Sequence, residues 1–348
     1  MTKKKLFVIG HFGFGKELLN GQTVKTRILT DELKKQLGDE EVVCVDTHGS
    51  KLKLIKTLLS LFRIAKRTKN AVMLPAHNGV RVLTPILLQL KRMYGIKLHY
   101  VVIGGWISDM VKQDGALCAR LKSFDGIYVE TNTMKRSLES QGFENIVVMP
   151  NCKHLKALSE DELVYSEAFP LRLCSFSRVM KEKGIGEAVR AVEKINTERG
   201  RTVYTLDIYG QIDSAQVEWF DKLQAELPEY VKYRGLVDYD KSIDVLKNYF
   251  ALLFPTKFYT EGIPGTIIDA YGAGIPVLSA KWESYSDIIK ENKTGYCFEF
   301  DDFHDFVEKL KSMADNVDTF NQMKIACLEE SRRFDPMTVV EEFINHLS

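Results

Sequence analysis

The sequence predicts an α/β protein with two Rossmann-like halves, each built on a parallel sheet. Short apolar segments alternate with amphipathic helical segments, which is the pattern of parallel strands joined by crossover helices. The pattern restarts after a polar, acid-rich stretch at residues 151–170. At 348 residues the chain accommodates two domains of ordinary size. We therefore predict a first domain over 1–150, a linker over 151–170 and a second domain over 171–333.

The composition is that of a globular protein, with 45% apolar and 27% charged residues. The six cysteines form no C-x-x-C pair, which argues against a zinc site and a disulfide scaffold and favours a reducing compartment. The apolar run that precedes His11 is too short for the core of a signal peptide. No apolar segment reaches the roughly 20 residues that span a bilayer. We expect a cytoplasmic protein, either soluble or peripheral at the inner face of the membrane.

The first half is predicted to alternate strands and helices from its first apolar segment onward. The predicted strands are Leu6–Gly10, Val42–Val45, Ala71–Leu74, Leu98–Gly104, Gly126–Glu130 and Ile146–Met149. The predicted helices are Val24–Leu37, Lys51–Lys69 and Val82–Tyr94. Loops at the carboxyl ends of parallel strands carry function, and two of them contain His77 and Trp106, which we consider as acceptor contacts. A lone loop histidine is also consistent with a solvated side chain.

The loop after the first strand contains Gly13 and Gly15, but Leu18 stands where a dinucleotide fingerprint requires the third glycine. This departure argues against NAD binding. Gly21, close to the start of the following helix, is either a flexible turn or a point where the backbone approaches a phosphate.

Charge divides the chain into two unequal parts. Residues 1–150 carry 24 Lys and Arg against 13 Asp and Glu, a net +11, whereas the remainder carries 24 against 34, a net −10. Residues 47–108 contain no acidic residue. The segment Lys51–Lys69 has the pattern of a basic amphipathic helix, which predicts contact with an anionic membrane. An ordinary helix with a solvated basic face has the same pattern. The basic block lacks aromatic interleaving, so nucleic acid is not expected.

The second half repeats the alternation of strands and helices. Its predicted strands are Leu171–Ser175, Leu206–Gly210, Val231–Val237, Tyr249–Phe254 and one that includes Gly295. Its predicted helices cover about 215–227, 264–271, 302–313, 317–333 and 336–347. Asp238 and Asp240 spell a D-x-D metal motif, but they lie at a predicted helix start, where Asp is an ordinary cap.

One stretch, residues 254–278, combines a strand, a loop, a short helix that begins after Pro264, and a further strand. The apolar helix carries Asp269, and Glu261 lies just before it. A helix that begins in a glycine-rich loop presents free N–H groups suited to a diphosphate. Asp269 would lie roughly 7 to 8 Å along the axis from Pro264, so the two carboxylates flank the phosphate position. The alternative is a buried helix with Glu261 as a cap and Asp269 bonded to a hydroxyl group.

The spacing of Glu261 and Asp269 resembles the E-x7-E signature of retaining, nucleotide-sugar-dependent glycosyltransferases of the GT-B fold, family 4 type, with Asp in place of the second Glu. Arg178 and Lys183 resemble the R-x4-K-G segment of that family. The resemblance implies that Arg178 and Lys183 hold the donor diphosphate, that Glu261 contacts the donor sugar, and that Asp269 contacts the ribose. The donor contacts that it implies are Gly21, Leu236, Val237, Gly262, Ile263, Pro264, Gly265 and Thr266.

By this resemblance, the two domains face a cleft and a C-terminal helix, within 334–348, crosses back to the first domain. The implied activity is that of a hexosyltransferase that moves a sugar from a nucleotide diphosphate to a glycan or lipid-linked acceptor in polysaccharide biosynthesis, with retention of configuration. Cations of the protein would hold the diphosphate, so neither a metal nor another cofactor is expected. A histidine that the family often carries beside the reacting sugar is replaced here by Gly104-Gly105-Trp106. A nucleotide-sugar epimerase, a phosphorylase and a non-catalytic sugar-nucleotide-binding protein are the alternatives.

Overall fold

The structure, a computed structural model, describes residues 4–15, 21–49 and 51–347, with the side chains of 51–56 left out. The chain divides into two compact units. Unit 1 comprises Met1–His154 and Arg333–Ser348, and unit 2 comprises Leu155–Arg332. Residues 151–170, predicted as a linker, are thus divided between the two units.

Unit 1 contains a six-stranded sheet in the order β2-β1-β3-β4-β5-β6, in which every neighbouring pair is parallel. Its strands are β1 (Lys4–Gly10), β2 (Val42–Asp46), β3 (Thr68–Leu74), β4 (Lys97–Val101), β5 (Gly126–Val129) and β6 (Ile146–Val148). Its helices before unit 2 are α1 (Gly21–Leu37), α2 (Lys51–Ala65), α3 (His77–Tyr94), α4 (Ile107–Gln113), α5 (Gly115–Leu121) and α6 (Asn132–Glu139).

Three short helices, α4, α5 and α6, were not predicted, although two of them carry readable start signals. The Asp114 side chain accepts the Leu117 N–H at the start of α5, and the Thr131 side chain accepts the Met134 N–H at the start of α6. Such caps satisfy N–H groups that have no partner within the helix. The predicted strand over 98–104 ends earlier, at Val101, and Gly104 takes a left-handed conformation with φ of 81°.

Helix α2 is shorter than the predicted Lys51–Lys69 helix, because Thr68 and Lys69 belong to β3. Leu61 and Ala65 are fully buried in the unit 1 core, and Leu58 and Phe62 pack against that core. In the part of α2 whose side chains are described, these four apolar residues therefore face the domain core, as in an ordinary α/β helix.

Unit 2 also contains a six-stranded parallel sheet, in the order β9-β8-β7-β10-β11-β12. Its strands are β7 (Leu171–Phe176), β8 (Tyr204–Tyr209), β9 (Val231–Gly235), β10 (Ala251–Phe254), β11 (Val277–Ala280) and β12 (Gly295–Phe298). Its helices are α7 (Ile185–Glu198), α8 (Val217–Ala225), α9 (Ser242–Leu246), α10 (Gly265–Gly272), α11 (Phe303–Asp315) and α12 (Val317–Ser331). Counted within the unit, the strand order is 3-2-1-4-5-6, that of a Rossmann sheet.

The remaining helix, α13 (Pro336–Asn345), packs within unit 1 although it follows all of unit 2 in the sequence. Asp335 caps it, and Pro336 occupies its first turn, where the missing N–H costs no hydrogen bond. Val340 and Phe343 are buried, and the Phe343 ring meets the Tyr128 ring edge-on at 4.6 Å between centroids. The apolar side of α13 thus completes a core that also includes Leu6 and Val8 of β1.

The core of unit 2 lies on the face of its sheet that α7 and α11 cover, with Val192, Ile195 and Leu310 fully buried. Helices α10 and α12 pack on each other. Within the described ranges, no helix combines the length and the apolar character needed to cross a bilayer.

Candidate active site

The site lies where the strand order of unit 2 reverses. Strands β7 and β10 are adjacent and parallel, and the chain leaves them in opposite directions, to β8 on one side and to β11 on the other. In open α/β sheets this switch point, at the carboxyl ends of the strands, is where ligands bind. The loop that follows β7 contains Arg178 and Lys183, and the loop that follows β10 contains Glu261.

Lys183 and Glu261 form an ion pair across this point, in which the Lys183 ammonium donates to Oε1 of Glu261. Their side chains are 18% and 17% exposed, so both groups are largely sheltered yet still reachable from solvent. The ammonium also lies 4.9 Å from the centroid of the Phe258 ring and 5.6 Å from that of Phe254, distances typical of cation–π contacts. The spacing of the motifs placed each residue near a ligand, but their mutual contact was not predicted.

The two loops are held together by close backbone packing at Gly184. This residue has φ of 72°, and a Cβ atom there would lie 2.0 Å from the carbonyl oxygen of Pro255. Only glycine tolerates both the left-handed conformation and this approach. A hydrogen bond of 2.8 Å from the Lys257 N–H to the Glu182 carbonyl joins the same two loops. The loop positions that carry Lys183 and Glu261 are thereby fixed relative to each other.

Arg178 is more exposed than Lys183, with 53% of its side chain accessible. Its nearest acidic partner is Asp213, at 3.5 Å between Nη1 and Oδ2. A partly exposed ion pair of this kind contributes little to stability, which leaves the guanidinium able to turn toward an anionic ligand.

The start of α10 presents backbone N–H groups near the same loops. Pro264 is the N-cap, and Gly265 and Thr266 are the first helical residues, so their N–H groups have no partner within the helix. Gly262 and Ile263 are buried in the loop between Glu261 and the helix. The Thr266 Oγ1 atom is buried and has no hydrogen-bond partner among the described residues. This end of the helix therefore offers donors of the kind that bind phosphate oxygens.

Asp269 lies inside the domain, with 3% of its surface exposed, and its Oδ1 accepts a hydrogen bond of 3.0 Å from the Ser242 hydroxyl. Ser242 begins α9, 27 residues earlier in the chain, and was not identified from the sequence. The hydrogen bond satisfies one oxygen of a carboxylate that would otherwise be costly to bury.

The end of β9 supplies an apolar surface. Leu236 is 62% exposed just beyond the strand, and Val237 is partly buried beside it. Asp238 and Asp240 follow and are both exposed, around a single turn of 3-10 helix. Among the described residues, no three His, Cys, Asp or Glu side chains are grouped so as to hold a metal ion.

Unit 1 brings its two predicted acceptor contacts together. The rings of His77 and Trp106 lie 5.0 Å apart, and the Trp106 indole N–H donates to the Ile103 carbonyl. His77 is exposed at the start of α3. Gly21 is the first residue of α1, and residues 16–20 of the preceding loop lie outside the described residues.

A second histidine group, not identified from the sequence, lies at the carboxyl ends of β1 and β2. The ring nitrogens of His11 and His48 are 2.9 Å apart, and His11 also bonds the Thr23 hydroxyl at 2.8 Å. Asp46 accepts the N–H groups of Phe12, Gly13, Phe14 and His48. Burial opposes ionisation, yet these N–H donors hold the pKa of Asp46 below its usual value.

Comparison with known proteins shows which families and structures the chain is similar to. Residues 168–326 match the family "Glycosyl transferases group 1". Among characterised relatives, the amylovoran biosynthesis glycosyltransferase AmsK of Erwinia amylovora is 28% identical over 131 residues, which cover 36% of this chain and 32% of AmsK. The matches span between 24% and 49% of the length of the curated relatives.

Solved structures share the fold over nearly the whole chain. Alr3699/HepE of Anabaena, crystallised with UDP-glucose, has a TM-score of 0.75 at 13% identity and covers 99% of both chains. The lipopolysaccharide outer core galactosyltransferase WaaB has a TM-score of 0.71 at 16% identity and covers 98% of both. These neighbours confirm the predicted fold class. The chain therefore has the GT-B fold, and its residues 168–326 are similar to the glycosyl transferases group 1 family.

Proposed function

We propose that this protein is a glycosyltransferase that transfers a hexose from a UDP-sugar to a hydroxyl group of a glycan or lipid-linked acceptor, with retention of anomeric configuration. The observation that carries the proposal is the Lys183–Glu261 pair at the switch point of a group 1 domain. In this pair, a cation that can bind phosphate lies beside a carboxylate that can accept hydrogen bonds from sugar hydroxyl groups.

In this proposal, Arg178, Lys183 and the first N–H groups of α10 bind the diphosphate. The charge on the phosphate grows as the bond between the anomeric carbon and the phosphate oxygen breaks, and fixed cations stabilise it. The acceptor oxygen bonds to the same face of the anomeric carbon, and its proton passes to the departing phosphate oxygen. Protein cations thus perform the task that a metal performs elsewhere, and we propose that no metal takes part.

The remaining contacts are assigned by their positions. Leu236 and Val237 offer an apolar surface for the base, and Glu261 binds hydroxyl groups of the donor sugar. Asp269 is assigned to the ribose, and its Oδ1 also accepts the Ser242 hydroxyl. His77 and Trp106, whose rings lie close together in unit 1, are proposed acceptor contacts. The choice of UDP is supported by HepE, which was crystallised with UDP-glucose.

The test is a screen of the purified protein against UDP-, GDP- and ADP-sugars, with and without sugar acceptors, in which release of the nucleotide is measured. We expect UDP release that increases when a suitable acceptor is added. Conversion of the donor without acceptor into an epimeric nucleotide sugar would instead identify an epimerase, and a requirement for inorganic phosphate would identify a phosphorylase. Proton NMR of the first product anomer then tests retention, and an inverted anomer would contradict it.

A further inference from the structure

Thr256 lies in the loop between β10 and α10 and is 1% exposed. Its hydroxyl contacts two groups of the same loop. Oγ1 lies 3.1 Å from Oε1 of Glu261 and 3.2 Å from the backbone nitrogen of Phe258. The same Glu261 oxygen accepts the Lys183 ammonium. One carboxylate oxygen is therefore held by a neutral hydroxyl group and by a cation.

The direction of these hydrogen bonds follows from the number of hydrogens. A threonine hydroxyl has one hydrogen to donate and lone pairs to accept. The Phe258 N–H is only a donor, and a carboxylate paired with an ammonium is only an acceptor. The hydroxyl therefore accepts from Phe258 and donates to Glu261, so that it connects the backbone of the loop to the carboxylate.

We propose that Thr256 is a positioning residue that fixes the orientation of Glu261 for contact with the donor sugar, an inference that rests on the proposed function. With Oε1 held by Thr256 and Lys183, Oε2 remains without a partner in the described part of the chain. Oε2 is thereby left to accept hydrogen bonds from sugar hydroxyl groups.

Lys183 alone does not fix this orientation. Its ammonium is a point charge on a flexible stem with three donors, and in the proposed function it also serves the diphosphate. When a nucleotide binds, the ammonium is drawn toward the phosphate oxygens and shared with them. Thr256 has no such second ligand. Its backbone is held in place because the preceding residue, Pro255, packs directly against Gly184.

The consequence is specific to the sugar. A misoriented Glu261 weakens contacts to the hexose but leaves the contacts to the nucleotide intact. The extra affinity for UDP-glucose over UDP therefore measures the proposed role, whereas a merely structural role of Thr256 would lower both affinities together.

The test compares Thr256→Val, which keeps the shape and removes the hydroxyl, with Thr256→Ser, which restores it. Thr294→Val is the matched control, because Thr294 is a buried threonine that bonds Tyr271 and lies at the opposite, amino-terminal end of β12. Calorimetry gives the affinities for UDP and UDP-glucose, and UDP release from UDP-glucose gives kcat and KM.

We expect Thr256→Val to bind UDP within about twofold of the wild type, to lose the additional affinity for UDP-glucose and to lower kcat about ten- to a hundredfold. Thr256→Ser should recover most of the additional affinity for UDP-glucose and most of kcat. Thr294→Val should match the wild type in these two quantities. Three results would overturn the inference. Thr256→Val could keep its affinity for UDP-glucose and its turnover, Thr256→Ser could be as impaired as Thr256→Val, or Thr256→Val could lose as much affinity for UDP as for UDP-glucose. A wild type that binds neither UDP nor UDP-glucose would contradict the proposed function instead.

Discussion

At the scale of single residues, Arg178 combines a position at the switch point with a side chain that is half exposed. If it binds the diphosphate, Arg178→Ala should weaken UDP binding by about ten- to a hundredfold, because a hydrogen bond to a charged group contributes about 1.5 to 3 kcal/mol. Turnover should fall in parallel. Titration calorimetry with UDP measures the first effect, and UDP release measures the second.

The matched control for Arg178 is Arg199→Ala. Arg199 follows α7, and its guanidinium bonds both carboxylate oxygens of Asp315 at 2.9 Å. Its replacement removes the same charge and an exposed ion pair, which is worth at most about 1 kcal/mol of stability. UDP affinity should not change in this variant. If Arg178→Ala binds UDP as tightly as Arg199→Ala does, the diphosphate assignment is wrong.

The sequence was sufficient to single out Lys183 and Glu261 but not to pair them. Each was identified from its own local motif, and the ion pair depends on the adjacency of β7 and β10, which brings together residues 78 positions apart. The bond from Ser242 to Asp269 escaped prediction for the same reason. A hydroxyl partner for Asp269 was among the alternatives considered, but its identity depends on how α9 packs against α10.

At the scale of elements, the end of α2 shows where a periodic pattern misleads. Lys66 and Lys69 continue the basic stripe of the helix, so the sequence favoured one helix through residue 69. Thr68 instead begins β3, where its backbone pairs with that of Lys4 in the parallel ladder. A β-branched residue suits a strand, and the sheet outweighs the weak helical preference of the segment.

Helix α12 carries a lysine in its buried face. The Lys324 side chain is fully buried, and its ammonium donates to the Tyr249 carbonyl at 3.4 Å. Burial lowers the pKa of Lys324 to about 8, below the value of about 10.5 expected when the chain unfolds. Below pH 8 the folded protein holds a charge in its interior. As pH rises from 8 toward 10.5, the unfolded chain binds more protons than the folded chain, so this residue's contribution to stability rises.

We therefore expect Lys324→Met to be more stable than the wild type at pH 7, by a margin that shrinks by about 1 kcal/mol at pH 9. Urea unfolding of both proteins at each pH measures the margin, and comparison at equal pH cancels the titration of the buried cysteines. Lys222→Met, on an exposed position of α8, is the control and should show no such dependence. A margin that stays constant or grows with pH would contradict the assigned shift.

Helix α13 supplies part of the unit 1 core, although it follows unit 2 in the chain. Phe343→Ala should destabilise unit 1 by about 3 to 5 kcal/mol, because it removes a buried ring that packs on Tyr128. Met337→Ala on the same helix is the control, since Met337 is 54% exposed. Chemical unfolding followed by circular dichroism gives both values. Similar losses in the two variants would show that α13 does not contribute to the core in the way described.

At the scale of the whole molecule, the net +11 of residues 1–150 and the net −10 of residues 151–348 predict different surroundings for the two parts of the chain. Leu58, Leu61, Phe62 and Ala65 of α2 are taken up by the unit 1 core, so we expect membrane contact of this region to be mainly electrostatic. The exposed cations near the end of α2 are Arg63, Lys66, Arg67 and Lys69. Each cation near an anionic leaflet contributes about 1 kcal/mol, so four together would matter at low salt.

We predict that the protein sediments with vesicles rich in anionic lipid, that this binding weakens between low and physiological salt, and that reversing these four cations to Glu abolishes it. Turnover with a water-soluble acceptor should persist, because the four cations lie outside unit 2. The control reverses Lys156, Lys222, Lys232 and Lys293 of unit 2, which changes the net charge equally and should leave vesicle binding intact. Equal binding to neutral and anionic vesicles, or binding to neither, would show that the basic block is a solvated surface.

The place of α13 in the sequence also sets an order of events during synthesis. The six strands of unit 1 leave the ribosome first, but Val340 and Phe343, which complete their core, follow only after all of unit 2 has been made. Domains tend to fold as units while the chain grows. Unit 2 can thus fold from contiguous residues before α13 covers the unit 1 surface around Tyr128 and Leu6. The half of the protein that is translated first is the half that is finished last.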